Sequence, residues 1–159
     1  MTVVLKGGVM KALLVVDVQT DVMRFRDTKG LIEACNDRIS HYAPEKVMYV
    51  VHKMPWERAS KKKKFGSGLL VVSDRVFDKR VGNAFSNSQL LQTLKDEQVD
   101  EVEIIGIDGN HCVKETAFGA LENGFKATVN EHAVASMNKQ EFESTKQQLC
   151  DAGVAVISE

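Results

Sequence analysis

The chain alternates solid apolar runs with stretches in which apolar residues recur every three or four positions. The first run, KALLVV at Lys11–Val16, is unbroken after its lysine and stops at Asp17. Runs of this kind are expected of strands buried on both faces, because half-exposed strands alternate apolar with polar residues. Similar runs at 46–51, 101–107, 126–129 and 154–157 predict four more strands, the first of them closed by His52 and Pro55. Residues 69–72 are apolar, and 75–79 either continue them or form a separate short strand. Between the runs, Leu31, Ile32, Cys35 and Ile39 fall at helical spacing, with Asp27 or Thr28 as a candidate cap. Ser86-Asn87-Ser88-Gln89 has the form of a capping box ahead of Leu90, Leu91 and Leu94. Val113, Ala117, Ala120 and Leu121 make one stripe of a helix that Gly124 should stop, and Asn138 with Glu141 opens a last helix carrying Phe142 and Leu149.

Strand and helix in regular alternation predict a parallel sheet covered on both faces. Right-handed crossovers then place every strand's C-terminal end on one edge, where ligands bind close to the point at which strand order reverses. At 159 residues the chain suits one domain, expected over 10–159, with 1–9 as an extension ahead of the first strand. One stretch, 56–68, is irregular and contains the run Lys61-Lys62-Lys63-Lys64. It reads as a flexible solvated loop, since no interleaved aromatics accompany the lysines.

Composition removes several function classes. A net charge of −1 provides no field that would recruit nucleic acid or an anionic membrane. No apolar run is long enough to span a bilayer, and Gly7 and Gly8 break the short N-terminal one before it could serve as a signal. Three cysteines at 35, 112 and 150 are odd in number and lie far apart, which argues against a disulfide framework and for a reducing cytosol. Without a Cys-x-x-Cys pair, zinc-ribbon and thioredoxin-type sites drop out.

The chemistry concentrates in Gly106-Ile107-Asp108-Gly109-Asn110-His111-Cys112. There an apolar strand ends in a glycine-broken turn and a helix begins at the cysteine. The free N–H groups and positive end of that helix should favour the thiolate and could hold an oxyanion. Asp17 and Lys79 also fall at strand ends, so all three groups share one edge of the predicted sheet. A desolvated carboxylate can take a thiol's proton, and an ammonium can stabilise the resulting sulfur anion. Taken singly, Asp17 could be a strand-end cap, Lys79 a solvated lysine and Cys112 a small buried apolar residue.

Three motifs occur together: LVVDVQTD at 14–21, Lys79 five residues before Ala84-Phe85, and Gly106 followed by Cys112-Val113 and Thr116-Ala117. In this order and spacing the chain resembles the isochorismatase-like cysteine hydrolase superfamily from Lys11 to its end. The resemblance implies a three-layer α/β/α sandwich on a six-stranded, mainly parallel, doubly wound sheet, and a catalytic triad. In that triad Asp17 would be the general base, Lys79 the stabiliser of the thiolate and Cys112 the nucleophile. It further implies a cis peptide at Ile107-Asp108, an oxyanion hole from the backbone N–H groups of Asp108 and Cys112, and assembly as a homo-oligomer, dimer or tetramer. Phe25 and Trp56 could stack on a planar substrate, and His111 could flank the pocket.

The departures from the family pattern narrow the chemistry. A metal-dependent, nicotinamide-cleaving branch carries Asp-x-His after the second strand and a further His. Aligned on Pro55, this chain offers His52 and Met54, and a thioether is a poor ligand for zinc. No metal or other cofactor is therefore expected. The vinyl-ether-cleaving branch is often described as lacking the cysteine, so Cys112 favours hydrolysis of a small amide, ureide or carbamoyl compound through a thioester. Two other readings stay open: a non-hydrolytic binding protein on the same fold, and a vinyl-ether hydrolase. Gly109, where the family often has Thr, and Val22, where it often has Phe, leave the local site less defined.

Overall fold

The computed structural model describes residues 8–24 and 26–159. Most of the expected 1–9 extension, and Phe25, lie outside the described residues. Six strands form one sheet: β1 (Lys11–Val16), β2 (Val47–His52), β3 (Val76–Lys79), β4 (Glu101–Ile107), β5 (Lys126–Ala135) and β6 (Ala155–Ile157). Their order is β3-β2-β1-β4-β5-β6 and every pairing is parallel, so the sheet is wholly rather than mainly parallel. The helices are α1 (Thr20–Met23), α2 (Leu31–Ser40), α3 (Ser88–Asp96), α4 (Cys112–Glu122) and α5 (Lys139–Ala152). No helix among the described residues is long and apolar enough to cross a membrane.

The alternate side chains of β1 separate two apolar cores. Ala12, Leu14 and Val16 join Met48, Ile104, Val113, Ala117 and Leu149 on one face. Leu13 and Val15 join Tyr49, Ile105, Ile107, Leu31, Cys35 and Ile39 on the other, under α2. Fully burying each Leu or Ile contributes about 1.5–3 kcal/mol, which is why the strands read as unbroken apolar runs. Small residues at Ala117 and Ala120, both fully buried, let α4 lie close to the sheet.

Four local expectations need correction. The cap of α2 is Gly30, in the left-handed region and making no side-chain cap, rather than Asp27 or Thr28. Helix α3 is capped by Asn87, whose side chain accepts from Gln89 and Leu90 N–H, because a 3-10 turn at Ala84–Ser86 uses up Ser86. Residues 69–72 form no strand: Val72 N–H is tied to the Tyr49 hydroxyl and only Val76–Lys79 pairs with β2. Strand β5 runs to Ala135, beyond the expected 126–129, and so takes in His132.

A carboxylate that the apolar pattern concealed sits inside β4. Glu103 is fully buried and receives Arg38 through two bonds of 2.7 and 2.8 Å and the Tyr42 hydroxyl at 2.8 Å. Burial raises the Glu103 carboxyl's pKa, but the bonds from Arg38 and Tyr42 outweigh it and hold the group below its usual range. Arg38→Met should therefore destabilise the fold by about 3–5 kcal/mol at neutral pH, since it strands a buried charge. Chemical denaturation measures this. A carboxyl with a lowered folded pKa stabilises above its unfolded value and loses that contribution as pH falls through the folded one, so the deficit should shrink in acid.

Candidate active site

Asp17, His52, Lys79 and Cys112 meet at the C-terminal edge, close to where strand order reverses between β1 and β4. Asp17 follows β1 with φ +57°, and its N–H extends the ladder to Val50 C=O at 2.8 Å. Lys79 ends β3, which is not adjacent to β1, so its side chain must cross the end of β2. Its Nζ lies 3.0 Å from Asp17 Oδ2, 3.2 Å from His52 Nδ1 and 3.4 Å from Cys112 Sγ. An ammonium has three N–H donors, and here each has an acceptor. The Lys79 side chain is fully buried and that of Asp17 nearly so. The second Asp17 oxygen, Oδ1, is buried and has no hydrogen-bond partner.

Cys112 opens α4 and is half-buried. Burial and the Asp17 carboxylate push its thiol up to about 12, against the opposing pull of Lys79. Desolvation and the neighbouring negative charge thus act against the thiolate that the helix start was expected to favour. Together the centre holds one carboxylate, one ammonium and one thiol.

The turn before Cys112 is built from both sides. The Ile107-Asp108 peptide is cis. The Asp108 carboxylate accepts from Asn110 N–H at 2.8 Å and Met137 N–H at 3.1 Å, which fastens the turn to the start of the last crossover. Among the described residues, the backbone N–H groups of Asp108 and Cys112 have no acceptor. Gly109 is not a gap. A Cβ there would stand 2.3 Å from Ser136 Oγ and 2.5 Å from the Phe142 ring, so these two side chains occupy the space a larger residue would need.

The loop after β2 is also ordered. Lys63 is buried and bridges Asp21 and Glu57, Lys53 donates to Ala59 C=O, and Arg80 donates to Met54 and Glu57 C=O. Thr20 N–H bonds Lys64 C=O, and Gly66 N–H bonds Val18 C=O. The solvated lysine run is therefore corrected at Lys63: the run supplies an internal cation that two carboxylates hold in place. Trp56 is 80% exposed and lines a surface pocket with Glu57, Arg58, Ser60 and Lys61. His111 is exposed, and its side chain makes no capping bond. His52, which the sequence offered only as half of a broken metal motif, is the member of the centre that sequence reasoning missed.

The isochorismatase domain family model matches residues 11–159. This chain belongs to that family. It is 34% identical over 58 residues, 36% of its own length, to an uncharacterised isochorismatase family protein from Bacillus subtilis, and the match spans 32% of that relative. The chain thus spans about a third of that curated relative's length. Among solved structures, the fold is similar to PnC1 from L. infantum in complex with nicotinate, with TM-score 0.80 and 19% identity over 94% of this chain and 92% of that one. It is likewise similar to the pyrazinamidase of Pyrococcus horikoshii in complex with zinc, with TM-score 0.75 and 21% identity over 94% and 99%. At these identities the likeness is one of fold.

The zinc in that relative raises the question of a metal here. Asp17, His52 and Cys112 offer ligand atoms within 4.8 Å of one another. The space they surround is taken by the Lys79 ammonium, which already donates to each of them. A dication would have to displace a buried positive charge from its carboxylate, and the nearby thioether of Met54 adds no suitable donor. Among the described residues, this donor set does not fit a metal ion.

Proposed function

We propose that this protein is a metal-independent cysteine hydrolase of a small amide, ureide or carbamoyl compound. The observation that carries this reading is Lys79 set between Asp17 and Cys112 while Asp17 Oδ1 lies buried without a partner. That oxygen is free to take a proton, and the thiol that would give one lies within 4.8 Å of the Asp17 carboxylate.

In the first half-reaction Cys112 passes its proton to Asp17 as Sγ bonds to the substrate carbonyl carbon. The carbonyl oxygen becomes an oxyanion, for which the free N–H groups of Asp108 and Cys112 are the available donors. Asp17 then returns the proton to the leaving nitrogen as the C–N bond breaks, leaving a thioester on Cys112. In the second half-reaction water attacks the thioester while Asp17 takes its proton. The acid departs and the thiol regains its hydrogen. As the proton moves from sulfur to Asp17, negative charge passes through sulfur to the carbonyl oxygen, and it returns to Asp17 when the leaving nitrogen is protonated. Lys79, in contact with Asp17 and Sγ, is placed to stabilise both ends of that transfer.

A panel of primary amides, ureides and carbamoyl compounds, pyrazinamide among them, should contain members that release ammonia. Hydroxylamine should intercept the acyl group, and mass spectrometry of the stalled enzyme should place it on Cys112. Turnover that survives Cys112→Ala, or no release from any member, counts against the reading.

A further inference from the structure

We infer that His52 is a positioning residue of this centre, the neutral acceptor that holds the Lys79 ammonium midway between Asp17 and Cys112. The inference deepens the proposed function and rests on it for its kinetic consequence, though the hydrogen bond itself does not.

Lys79 pairs in register with His52 at the ends of β3 and β2, and Asp17 follows β1 on the far side of β2. The lysine can reach its carboxylate only by passing over residue 52. An apolar side chain there would leave one buried ammonium N–H without an acceptor, and an unmet donor on a buried charged group is costly. It would also leave the ammonium free to settle against whichever of Asp17 and Cys112 carried the negative charge. A fixed neutral acceptor removes that freedom. Lys79 then stays within reach of both partners as the proton moves from sulfur to carboxylate, and no reorganisation is needed during the reaction.

The contact also sets the tautomer. An ammonium has no lone pair to offer, so Nδ1 must accept and the ring hydrogen must sit on Nε2. The backbone of His52 is held independently of its ring. Gln19, fully buried, accepts from His52 N–H at 2.7 Å and donates to His52 C=O at 2.9 Å, and the same amide nitrogen donates to Asp21 at 2.8 Å. The charged and titratable groups around the ring are Lys79 from β3, Asp17 beyond β1, Asp21 from α1, Lys63 from the loop after β2, and Cys112 from α4. Burial and Lys79 hold the imidazole below its ordinary value, with Asp17 and Asp21 partly offsetting them. Protonation in acid would remove the acceptor and set a second cation against Lys79.

The test uses the intact protein and p-nitrophenyl acetate, whose acetyl group passes to Sγ as nitrophenolate leaves and the thiol proton goes to Asp17. Exposed Cys150 serves as the internal reference for an ordinary thiol. His52→Leu should slow acetylation of Cys112 at least tenfold. His52→Asn, whose amide oxygen can stand where Nδ1 does, should stay within about threefold of wild type and shift the acid limb of the pH profile to lower pH. Leu at the wild-type rate, or Asn as slow as Leu with an unshifted limb, overturns the inference. Ring nitrogen spectra provide a second, activity-free reading. The resonance missing from His52→Asn should show a neutral ring protonated on Nε2 at neutral pH, and protonation on Nδ1 overturns the inference outright. If wild-type Cys112 reacts no faster than Cys150, the proposed function fails, and the spectra alone decide the role of His52.

Discussion

Asp17→Asn should lower amide turnover by about 10²–10⁴-fold, the usual contribution of a positioned acid–base group, and should leave the fold intact. Asn is close to isosteric, and it tolerates the left-handed backbone that Asp17 adopts at φ +57°. Its amide oxygen can still accept from Lys79. What disappears is the group that removes the thiol proton, delivers it to the leaving nitrogen and later activates water. A second effect runs the other way. Because the Asp17 charge helps to push the Cys112 thiol up, its removal should let the thiol ionise at lower pH than in the wild type. Thiolate absorbance against pH, measured beside steady-state turnover, reads both effects. A variant with an easier thiolate but a much slower reaction would show that proton traffic, and not thiolate supply, limits this centre. Equal turnover in the two proteins would remove Asp17 from the chemistry.

Gly106→Ala should cost at least about 3 kcal/mol, combining a strained backbone with overpacking against main chain, and should lower the melting temperature by on the order of 10 °C. Gly106 has φ +124°, and a Cβ on it would stand 2.0 Å from the carbonyl oxygen of Val16. That oxygen belongs to backbone and cannot swing aside. Val16 pairs with Gly106 across β1 and β4, one residue before Asp17. The added methyl would therefore force apart the two strands whose ends carry the base and the nucleophile, so activity should fall along with stability. Calorimetry and turnover on the same sample would check both. An Ala variant with unchanged melting would mean that the strands can separate locally at little cost.

The expectations that held and those that failed have physical reasons. Strands buried on both faces announce themselves as solid apolar runs, so β1, β2 and β4 were legible, as was the α4 start at Cys112. Asp17, Lys79 and Cys112 could be singled out because each falls where a run ends, and ends of parallel strands share an edge. His52 could not, since its contact with Lys79 depends on β2 lying between β3 and β1, and strand order is not written in local periodicity. Lys63 was read with its neighbours as solvent-facing because a lysine run gives no sign that one member will meet Asp21 and Glu57. Gly109 looked like a loss of definition for a similar reason: Ser136 and Phe142, which fill the space beside it, come from a distant part of the chain. The helix start at Cys112 can be seen in the sequence, whereas burial beside a carboxylate, which works against the thiolate, cannot. Trp56 was chosen for its ring, which is 80% exposed.

The raised thiol also bears on which inhibitors suit this centre. Haloacetamides and similar alkylating agents react with a sulfur that has already lost its proton, a form that burial and the neighbouring Asp17 charge disfavour at Cys112. Nitriles and aldehydes make a different demand, because the nitrogen or oxygen of the electrophile must acquire a proton while the carbon–sulfur bond forms. Under the proposed mechanism Asp17, with its unpartnered Oδ1, would carry that proton across. Small, uncharged, reversible electrophiles should accordingly be captured in preference to alkylating agents.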